Sequence, residues 1–326
     1  MKATAIAPSN IAFIKYWGKK DDDLRLPCND SFSMNIDGST TTTTVEFSDV
    51  LIHDDISFIG ESVSDKEISR IVIHLDRIRN LAHKKLFANI VTKNSFPKST
   101  GLASSASGFA ALTVAAMQAL ALPLREKELT ILARLGSGSA CRSIPDGFVV
   151  WHRGETSETS FAESLYPSAY WKLHDIVVLV SREAKKISTT EGMEGILTSP
   201  HWRDRMNAIP ERMARIKRAF QEKNMKHLGE IIEEDCLDMH HVMQTQSPQL
   251  YYWNEGTKNI MKEVSVWRKQ GVPVYFTIDA GPNVHLIYEE KQEQDVIKRV
   301  KSIRGVESII VNGVSTGTRC VDSHLF

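Results

Sequence analysis

One continuous stretch joins a strand pattern, a glycine- and serine-rich loop and a long apolar helix pattern. Residues 86–93 predict a strand, residues 96–108 read FPKSTGLASSASG, and residues 103–120 predict a helix. Small residues at a helix start let a phosphate approach free N–H groups at the positive end of the helix dipole. The same serines also suit a helix cap that binds nothing. Because no Gly-Lys-Ser/Thr closes the loop, it is not a Walker A motif, and the pattern alone predicts a candidate phosphate site.

The composition indicates a soluble globular protein. The chain has 326 residues, of which 42% are hydrophobic and 25% charged, which suits one large or two medium domains. Lys and Arg together number 40, as do Asp and Glu, so the bulk charge gives no reason to expect a nucleic-acid partner. No apolar run approaches the roughly 20 residues of a membrane span, and residues 1–7 lack the apolar core of a signal peptide. Four cysteines without CxxC spacing favour a cytoplasmic protein with reduced thiols.

The order of predicted elements indicates an α+β fold. Residues 31–36 and 40–47 predict strands on either side of an Asp37-Gly38 turn. Residues 65–82 predict a helix with Ser64 as N-cap and Glu67 completing a capping box. A polar stretch at 154–172 suggests a domain boundary, giving domains at 1–172 and 173–326. The second domain is predicted to open on a strand at 175–181 and to be rich in helices before its later strands.

Arg79 lies on the apolar stripe of the helix predicted at 65–82. A guanidinium on an inner helix face needs an anionic partner. That partner is either a bound anion or a neighbouring carboxylate, and the sequence leaves both open.

Four motifs occur together and in order: APSNIAFIKYWGK (7–19), FPKSTGLASSASGFAAL (96–112), RLGSGSACRS (134–143) and TIDAGPN (277–283). With them the chain resembles the diphosphomevalonate decarboxylase family of the GHMP kinase superfamily, from Ala7 to about Ile287. The first and third motifs are specific to the decarboxylases, whereas the superfamily shares the loop. The resemblance implies an N-terminal ribosomal-S5-like domain, a C-terminal ferredoxin-like domain and an active site in the cleft between them.

Three residues are the catalytic candidates. Asp279 ends a predicted strand before a Gly-Pro turn, where a carboxylate either faces a cleft or forms an Asx turn. The resemblance implies that Asp279 is the base that deprotonates the substrate's C3 hydroxyl. Arg142 is either a solvated surface residue or a two-pronged carboxylate ligand. The resemblance implies that Arg142 holds the substrate's C1 carboxylate and that Asn10 bridges Arg142 and this carboxylate.

The remaining site residues rest on the resemblance and on helical phase. Lys15 and Lys20 are expected to be ordinary surface lysines. Thr190 stands where one bacterial branch of the family has an arginine for the terminal phosphate, so Arg79 is expected to compensate. The expected substrate-binding residues are Tyr16, Lys19, Arg79, Ser137, Ser139 and Met193. The expected ATP-binding residues are Ser99, Gly101, Ser104, Ser105 and Ser107, and no metal site made of protein residues alone is expected.

The implied activity is ATP- and Mg²⁺-dependent decarboxylation of 5-diphosphomevalonate to isopentenyl diphosphate, with ADP, phosphate and CO₂ as the other products. The sequence leaves three alternatives open: the same chemistry on 5-phosphomevalonate, a kinase that stops after phosphorylation, and a catalytically silent sensor of the same ligands. Retention of Asp279, Arg142, Asn10 and Lys19 argues against the sensor. The expected partner is a small-molecule substrate, with no nucleic acid and no membrane, and the expected assembly is a homodimer.

Overall fold

A long antiparallel strand pair organises the first half of the chain. The computed structural model describes residues 1–96, 104–123, 125–181 and 189–326. In it β1 (Lys2–Ile14) pairs with β4 (Ser31–Ser48) along nearly its whole length. The other strands of this sheet are β5 (Asp55–Phe58), β6 (Phe87–Asn94), β7 (Phe148–Trp151), β8 (Ala162–Tyr166) and β13 (Arg319–Val321). The sheet has the order β13-β1-β4-β6-β5, and β7 pairs with β4 and β8 with β7. Two short strands, β2 (Lys19–Asp21) and β3 (Leu26–Pro27), form a separate hairpin.

Three helices and a 3₁₀ segment pack with this sheet: α1 (Asp65–Ala82), α2 (Ser104–Ala119), α3 (Glu126–Gly136) and the 3₁₀ segment Gly138–Ser143. The predicted capping box of α1 is confirmed, because Ser64 and Glu67 bond to each other's backbone N–H groups. The buried face of α2 is rich in alanine, which lets the helix lie close against β1 and β4. The strand and the helix that the sequence predicts around the loop are therefore both present: β6 precedes the loop and α2 follows it.

The second half of the chain forms a four-stranded antiparallel sheet and further helices. The strands are β10 (Tyr275–Thr277), β11 (Val284–Glu289), β9 (Leu173–Leu179) and β12 (Ser308–Gly313), in that spatial order. The helices are α4 (Thr189–Gly192), α5 (Trp202–Gln221), α6 (Met225–Thr245), α7 (Glu255–Lys269) and α8 (Glu293–Lys301), with short 3₁₀ segments at Ile196–Thr198 and Glu290–Gln292. This arrangement confirms the α+β class. Among the described residues, no helix is both long and apolar enough to cross a membrane.

One hydrophobic core joins the two halves. Phe13 and Phe32 of the first sheet pack in the same cluster as Val177, Phe220 and Ile287 of the second half. The C-terminal β13 then returns to pair with β1. The division at 172/173 remains our proposal, and the shared core fixes the end of β1 against the second half of the chain.

The Asp37-Gly38 turn predicted from the sequence is wrong. β4 runs through these residues, and the register opposite β1 shifts between Pro8 and Ser9, so that residues 37–39 form a bulge. A Cβ on Gly38 would lie 2.6 Å from Asn312 Oδ1. The glycine therefore serves close approach to β12 rather than chain reversal.

Candidate active site

The catalytic candidates Asn10 and Arg142 meet in the interior. Asn10 lies on β1, and its carboxamide oxygen accepts hydrogen bonds from Arg142 Nε at 3.1 Å and Nη2 at 3.0 Å. Arg142 Nη1 donates to Ser31 Oγ at 3.1 Å, and Asn10 Nδ2 donates to Ser143 Oγ at 2.8 Å. Burial lowers the pKa of Arg142, while the carboxylate of Asp279 acts in the opposite direction. The guanidinium is therefore oriented by neutral oxygens and stays close enough to Asp279 to sense its charge.

Asp279 is paired with a buried lysine. It follows β10, and its Oδ1 accepts a hydrogen bond from Lys15 Nζ at 2.6 Å. The Lys15 side chain is only 2% exposed, whereas the Asp279 side chain is 34% exposed. The expectation that Lys15 is a surface lysine is thus wrong. Lys15 comes directly after β1, where the strand enters the interior between the two halves, while Lys20 does bond at the surface to Glu155.

Tyr16, Ser137 and Ser139 lie around the same 3₁₀ segment as Arg142. The Tyr16 ring packs on Trp151 with centroids 4.6 Å apart, and a Cβ on Gly138 would lie 3.0 Å from its hydroxyl oxygen. Burial raises the pKa of Tyr16, so its hydroxyl keeps its proton. Ser137 Oγ lies 3.3 Å from Ser105 Oγ, and the Ser139 carbonyl accepts a hydrogen bond from Asn10 at 3.2 Å. Ser137 therefore connects the 3₁₀ segment to the start of α2.

The start of α2 opens onto a pocket between α1, α2 and β6. Ser104 and Ser105 lie in the first turn of the helix and line this pocket. The Ser107 hydroxyl instead lies in the interior, 2.7 Å from Thr41 Oγ1, so the structure gives it a packing role and not the expected place on ATP. Ser99 and Gly101 lie outside the described residues.

The chemistry of the pocket suits a ligand with a flat apolar part and an anionic part. Its apolar wall consists of Phe58, Ile71, Ile90, Phe109 and Leu112, and its polar groups come from Glu67, Arg70, Thr92, Asn94, Ser104 and Ser105. Arg70 lies over the Phe109 ring at 4.9 Å and donates to the Gly136 carbonyl at 3.2 Å. The sequence interpretation missed Arg70, although it lies on the same helix as Arg79.

Arg79 does not lie with these groups. It is roughly 13 Å along α1 from Arg70, at 1.5 Å per residue. Its guanidinium bonds to Asp54, whose side chain is only 5% exposed, to Asp76 at 2.6 Å and to the Leu86 carbonyl at 2.7 Å. Of the two partners that the sequence left open, the structure shows carboxylates. We therefore correct the expectation that Arg79 binds a substrate phosphate.

Two further substrate-binding candidates lie at the edges of this region. Lys19 begins the short strand β2, and its ammonium pairs with the exposed Asp22. Met193 is 5% exposed and packs in a cluster with Trp17, Met239 and Ala280, the residue after Asp279. The side chain of Thr190 lies outside the described residues. The structure thus places Met193 behind the site as packing, and it places Lys19, whose side chain is 10% exposed, on the short hairpin that follows Tyr16 in the chain.

The oxygen atoms that line the pocket suit a magnesium ion that is bound mainly by the phosphate groups of a ligand. Mg²⁺ prefers oxygen ligands and is commonly held through substrate phosphates and one or two protein groups. Within the described ranges, no group of three or more His, Cys, Asp or Glu side chains could hold a metal ion. The pocket instead supplies the hydroxyls of Ser104 and Ser105 and the carboxylate of Glu67.

Two family models together match most of the chain. Residues 7–162 match the diphosphomevalonate decarboxylase-like N-terminal domain, and residues 175–319 match the mevalonate 5-diphosphate decarboxylase C-terminal domain. The first match contains Asn10, Lys15 and Arg142, and the second contains Asp279. Both sides of the site described above therefore lie inside the matched regions.

Individual relatives cover nearly the whole chain. A diphosphomevalonate decarboxylase of Aspergillus fumigatus is 36% identical over 93% of this chain and 81% of its own length. A crystal structure of mevalonate diphosphate decarboxylase from Staphylococcus aureus is 39% identical, covers 98% of both chains and has a TM-score of 0.94. The structure described as MDDEF in complex with MVAPP, AMPPCP and magnesium is 35% identical, covers 99% of both chains and also has a TM-score of 0.94. These matches confirm the predicted fold of the GHMP kinase type, and the chain belongs to the diphosphomevalonate decarboxylase family.

Proposed function

We propose that this protein catalyses the ATP-dependent decarboxylation of 5-diphosphomevalonate to isopentenyl diphosphate, ADP, phosphate and CO₂. The observation that carries the proposal is the presence of two polar pairs along the second half of β1 and just after it: the ion pair of Asp279 with Lys15, and the hydrogen-bonded pair of Arg142 with the neutral Asn10. One pair suits proton removal from a hydroxyl and the other suits recognition of a carboxylate. The reaction needs both on a single substrate.

The first step is transfer of the γ-phosphoryl group of ATP to the C3 hydroxyl. Asp279 accepts the hydroxyl proton as the C3 oxygen attacks phosphorus, and the bond from phosphorus to the ADP oxygen breaks. The Lys15 ammonium holds the carboxylate in a fixed orientation, and orientation is a large part of catalysis in phosphoryl transfer. The partly exposed Asp279 can reach a bound substrate, while the buried Lys15 contacts it from the interior side.

The nucleotide is placed in the pocket at the start of α2. The apolar wall with Phe58 and Phe109 suits a flat base, and the N-terminus of α2 directs positive potential at the phosphates. Ser104 and Ser105 contribute hydroxyl oxygens there. Bound Mg²⁺ neutralises phosphate charge, as AMPPCP and magnesium are bound together in the 35%-identical relative.

In the second step the bond from C3 to the phosphate oxygen breaks and positive charge develops at C3. The electron pair of the C1–C2 bond then forms the C2–C3 double bond as the C1 carboxylate leaves as CO₂. Among the described residues, the hydrogen bonds of Arg142 to Asn10 and Ser31 engage three of its N–H groups. A guanidinium has five such groups, so two remain for a carboxylate. A single arginine orients the carboxylate without over-stabilising it in the ground state, which keeps the barrier to CO₂ loss low.

The 5-diphosphate is assigned to the protonated Tyr16 hydroxyl, to Lys19, and to the hydroxyls of Ser137 and Ser139. Arg79 takes no part, because its carboxylate partners occupy it. We further propose that the enzyme is cytoplasmic, in keeping with four free thiols, and that it forms a homodimer. Light scattering on the purified protein tests the assembly directly, and a single-chain mass would contradict a dimer.

The experiment that tests the function compares three substrates. Purified protein is given ATP and Mg²⁺ with mevalonate, its 5-phosphate or its 5-diphosphate, and kcat/KM is measured from ADP formation. We expect the diphosphate to give the highest value by a wide margin. A preference for the monophosphate would overturn the substrate assignment but leave the chemistry in place, and no ADP with any of them would overturn the function.

A further inference from the structure

Helix α6 holds the backbone of Lys15. The carboxylate of Asp235, on α6, accepts a hydrogen bond from the Lys15 backbone N–H at 2.7 Å. Arg205 of α5 bonds to the same carboxylate at 3.0 Å and donates to the Lys15 carbonyl at 3.4 Å. Asp235 and Arg205 are both buried. The buried ion pair of Asp235 and Arg205 therefore holds both the backbone N–H and the backbone carbonyl of Lys15.

The same helix holds the residue that precedes Asp279. Cys236 and His240 are four residues apart on α6 and so lie on one face of it. The Ile278 N–H donates to Cys236 Sγ at 3.2 Å, and His240 Nε2 donates to the Ile278 carbonyl at 3.3 Å. Burial lowers the pKa of His240 to about 3 and raises that of Cys236 to about 12, so both side chains stay uncharged at neutral pH.

We infer that α6 sets the distance between Lys15 and Asp279, and that Asp235, Cys236 and His240 are positioning residues for the base. Lys15 follows a strand of the first sheet, whereas Asp279 follows a strand of the second. Their 2.6 Å contact therefore depends on how the two sheets are held together. One rigid helix that bonds to the backbone beside each residue fixes that relationship. The inference rests on the proposed function only in its assignment of Asp279 as the base.

The step that such positioning serves is proton removal from the C3 hydroxyl. A misplacement of about 1 Å in a reacting group can cost on the order of 10²-fold in rate. None of the three residues is expected to touch substrate, because each is buried and bonded to the protein backbone. Their loss should consequently appear in kcat and not in the KM for either substrate.

The test uses two replacements of His240. His240→Leu removes the donor to Ile278 at similar volume, and His240→Gln keeps an N–H group near the Nε2 position. We expect His240→Leu to lower kcat by about 10- to 100-fold, with KM for ATP and for the diphosphate nearly unchanged. His240→Gln should restore most of the loss. Leu228→Ala is the matched control, since it removes packing from the same helix about three turns from His240 and should lower the melting temperature without lowering kcat.

A double variant with Asp279→Asn distinguishes the positioning of the base from a general loss of stability. In an Asp279→Asn background, His240→Leu should reduce the residual rate by less than about 3-fold, because there is no base left to position. Should His240→Leu not fold, Cys236→Ala is measured in the same two backgrounds with the same expectations. Wild-type kcat in the folded variant, or a full and additive loss in the Asp279→Asn background, would overturn the inference. An inactive wild type would instead overturn the proposed function, and the inference with it.

Discussion

Lys15 Nζ lies 2.6 Å from Asp279 Oδ1, and the two residues come from opposite halves of the chain. The lysine is enclosed, whereas the carboxylate is partly open to solvent. A buried ammonium requires a charged or hydrogen-bonding partner, and Asp279 provides it. This pair therefore links the two halves of the chain and also orients Asp279, the proposed base.

Removing either member of the pair should slow phosphoryl transfer. We expect Asp279→Asn to lower kcat by on the order of 10³, since both proton removal and alignment are lost. Lys15→Met should lower kcat by on the order of 10², because the carboxylate loses its fixed orientation. Lys20→Met is the matched control from the same motif, as Lys20 bonds to Glu155 at the surface. Steady-state ADP formation measures all three, and near-normal turnover in Asp279→Asn would remove this residue from the mechanism.

The first turn of α2 should separate nucleotide binding from packing. Ser105→Leu places a bulky side chain in the pocket and is expected to raise the KM for ATP or abolish turnover. Ser107→Ala removes a buried hydrogen bond to Thr41 and should lower the free energy of unfolding by about 1 kcal/mol while leaving that KM unchanged. Nucleotide titrations and urea unfolding on both variants provide the comparison. If Ser105→Leu binds ATP as wild type does, the helix start is only a structural cap.

Arg79→Ala should affect stability and not substrate binding. The change leaves the buried Asp54 carboxylate without its guanidinium, and breaking a buried pair in this way costs roughly 3 kcal/mol. We expect the free energy of unfolding to fall by about that amount and the KM for the diphosphate to stay at the wild-type value. A 10-fold rise in that KM in the folded variant would return Arg79 to the binding site.

The helix over 65–82 was predictable because its capping box and apolar stripe are local in sequence. The same periodicity placed Arg79 on an inner face correctly, but it could not show that Asp54 lies on that face, since Asp54 precedes the helix. The burial of Lys15 cannot be predicted from the sequence for a similar reason. Its signal was a lysine inside the otherwise apolar run IAFIKYW, and its partner lies 264 residues later in the chain. The catalytic candidates could be named from motifs, whereas their supports on α6 depend on tertiary packing alone.

His74 should make the native state sensitive to acid. Burial lowers the pKa of His74 to about 3, well below its ordinary value of 6.5. Between these values His74 binds a proton in the unfolded chain but not in the native chain. The contribution of His74 to the free energy of unfolding therefore falls as the pH drops below 6.5 and is constant above it. Urea unfolding at pH 7 and pH 5 should show a decrease that is smaller in His74→Gln, by about 2 kcal/mol. Equal decreases in the two proteins would show that His74 is protonated in the native state.

The most direct measurement follows both products of one reaction. With ATP, Mg²⁺ and 5-diphosphomevalonate radiolabelled at C1, ADP and labelled CO₂ are determined in the same samples from the earliest times. We expect equal amounts of ADP and labelled CO₂, because Asp279 and Arg142 act on one bound substrate within a single site. ADP formed without CO₂ would contradict this expectation and identify a kinase that stops after phosphorylation.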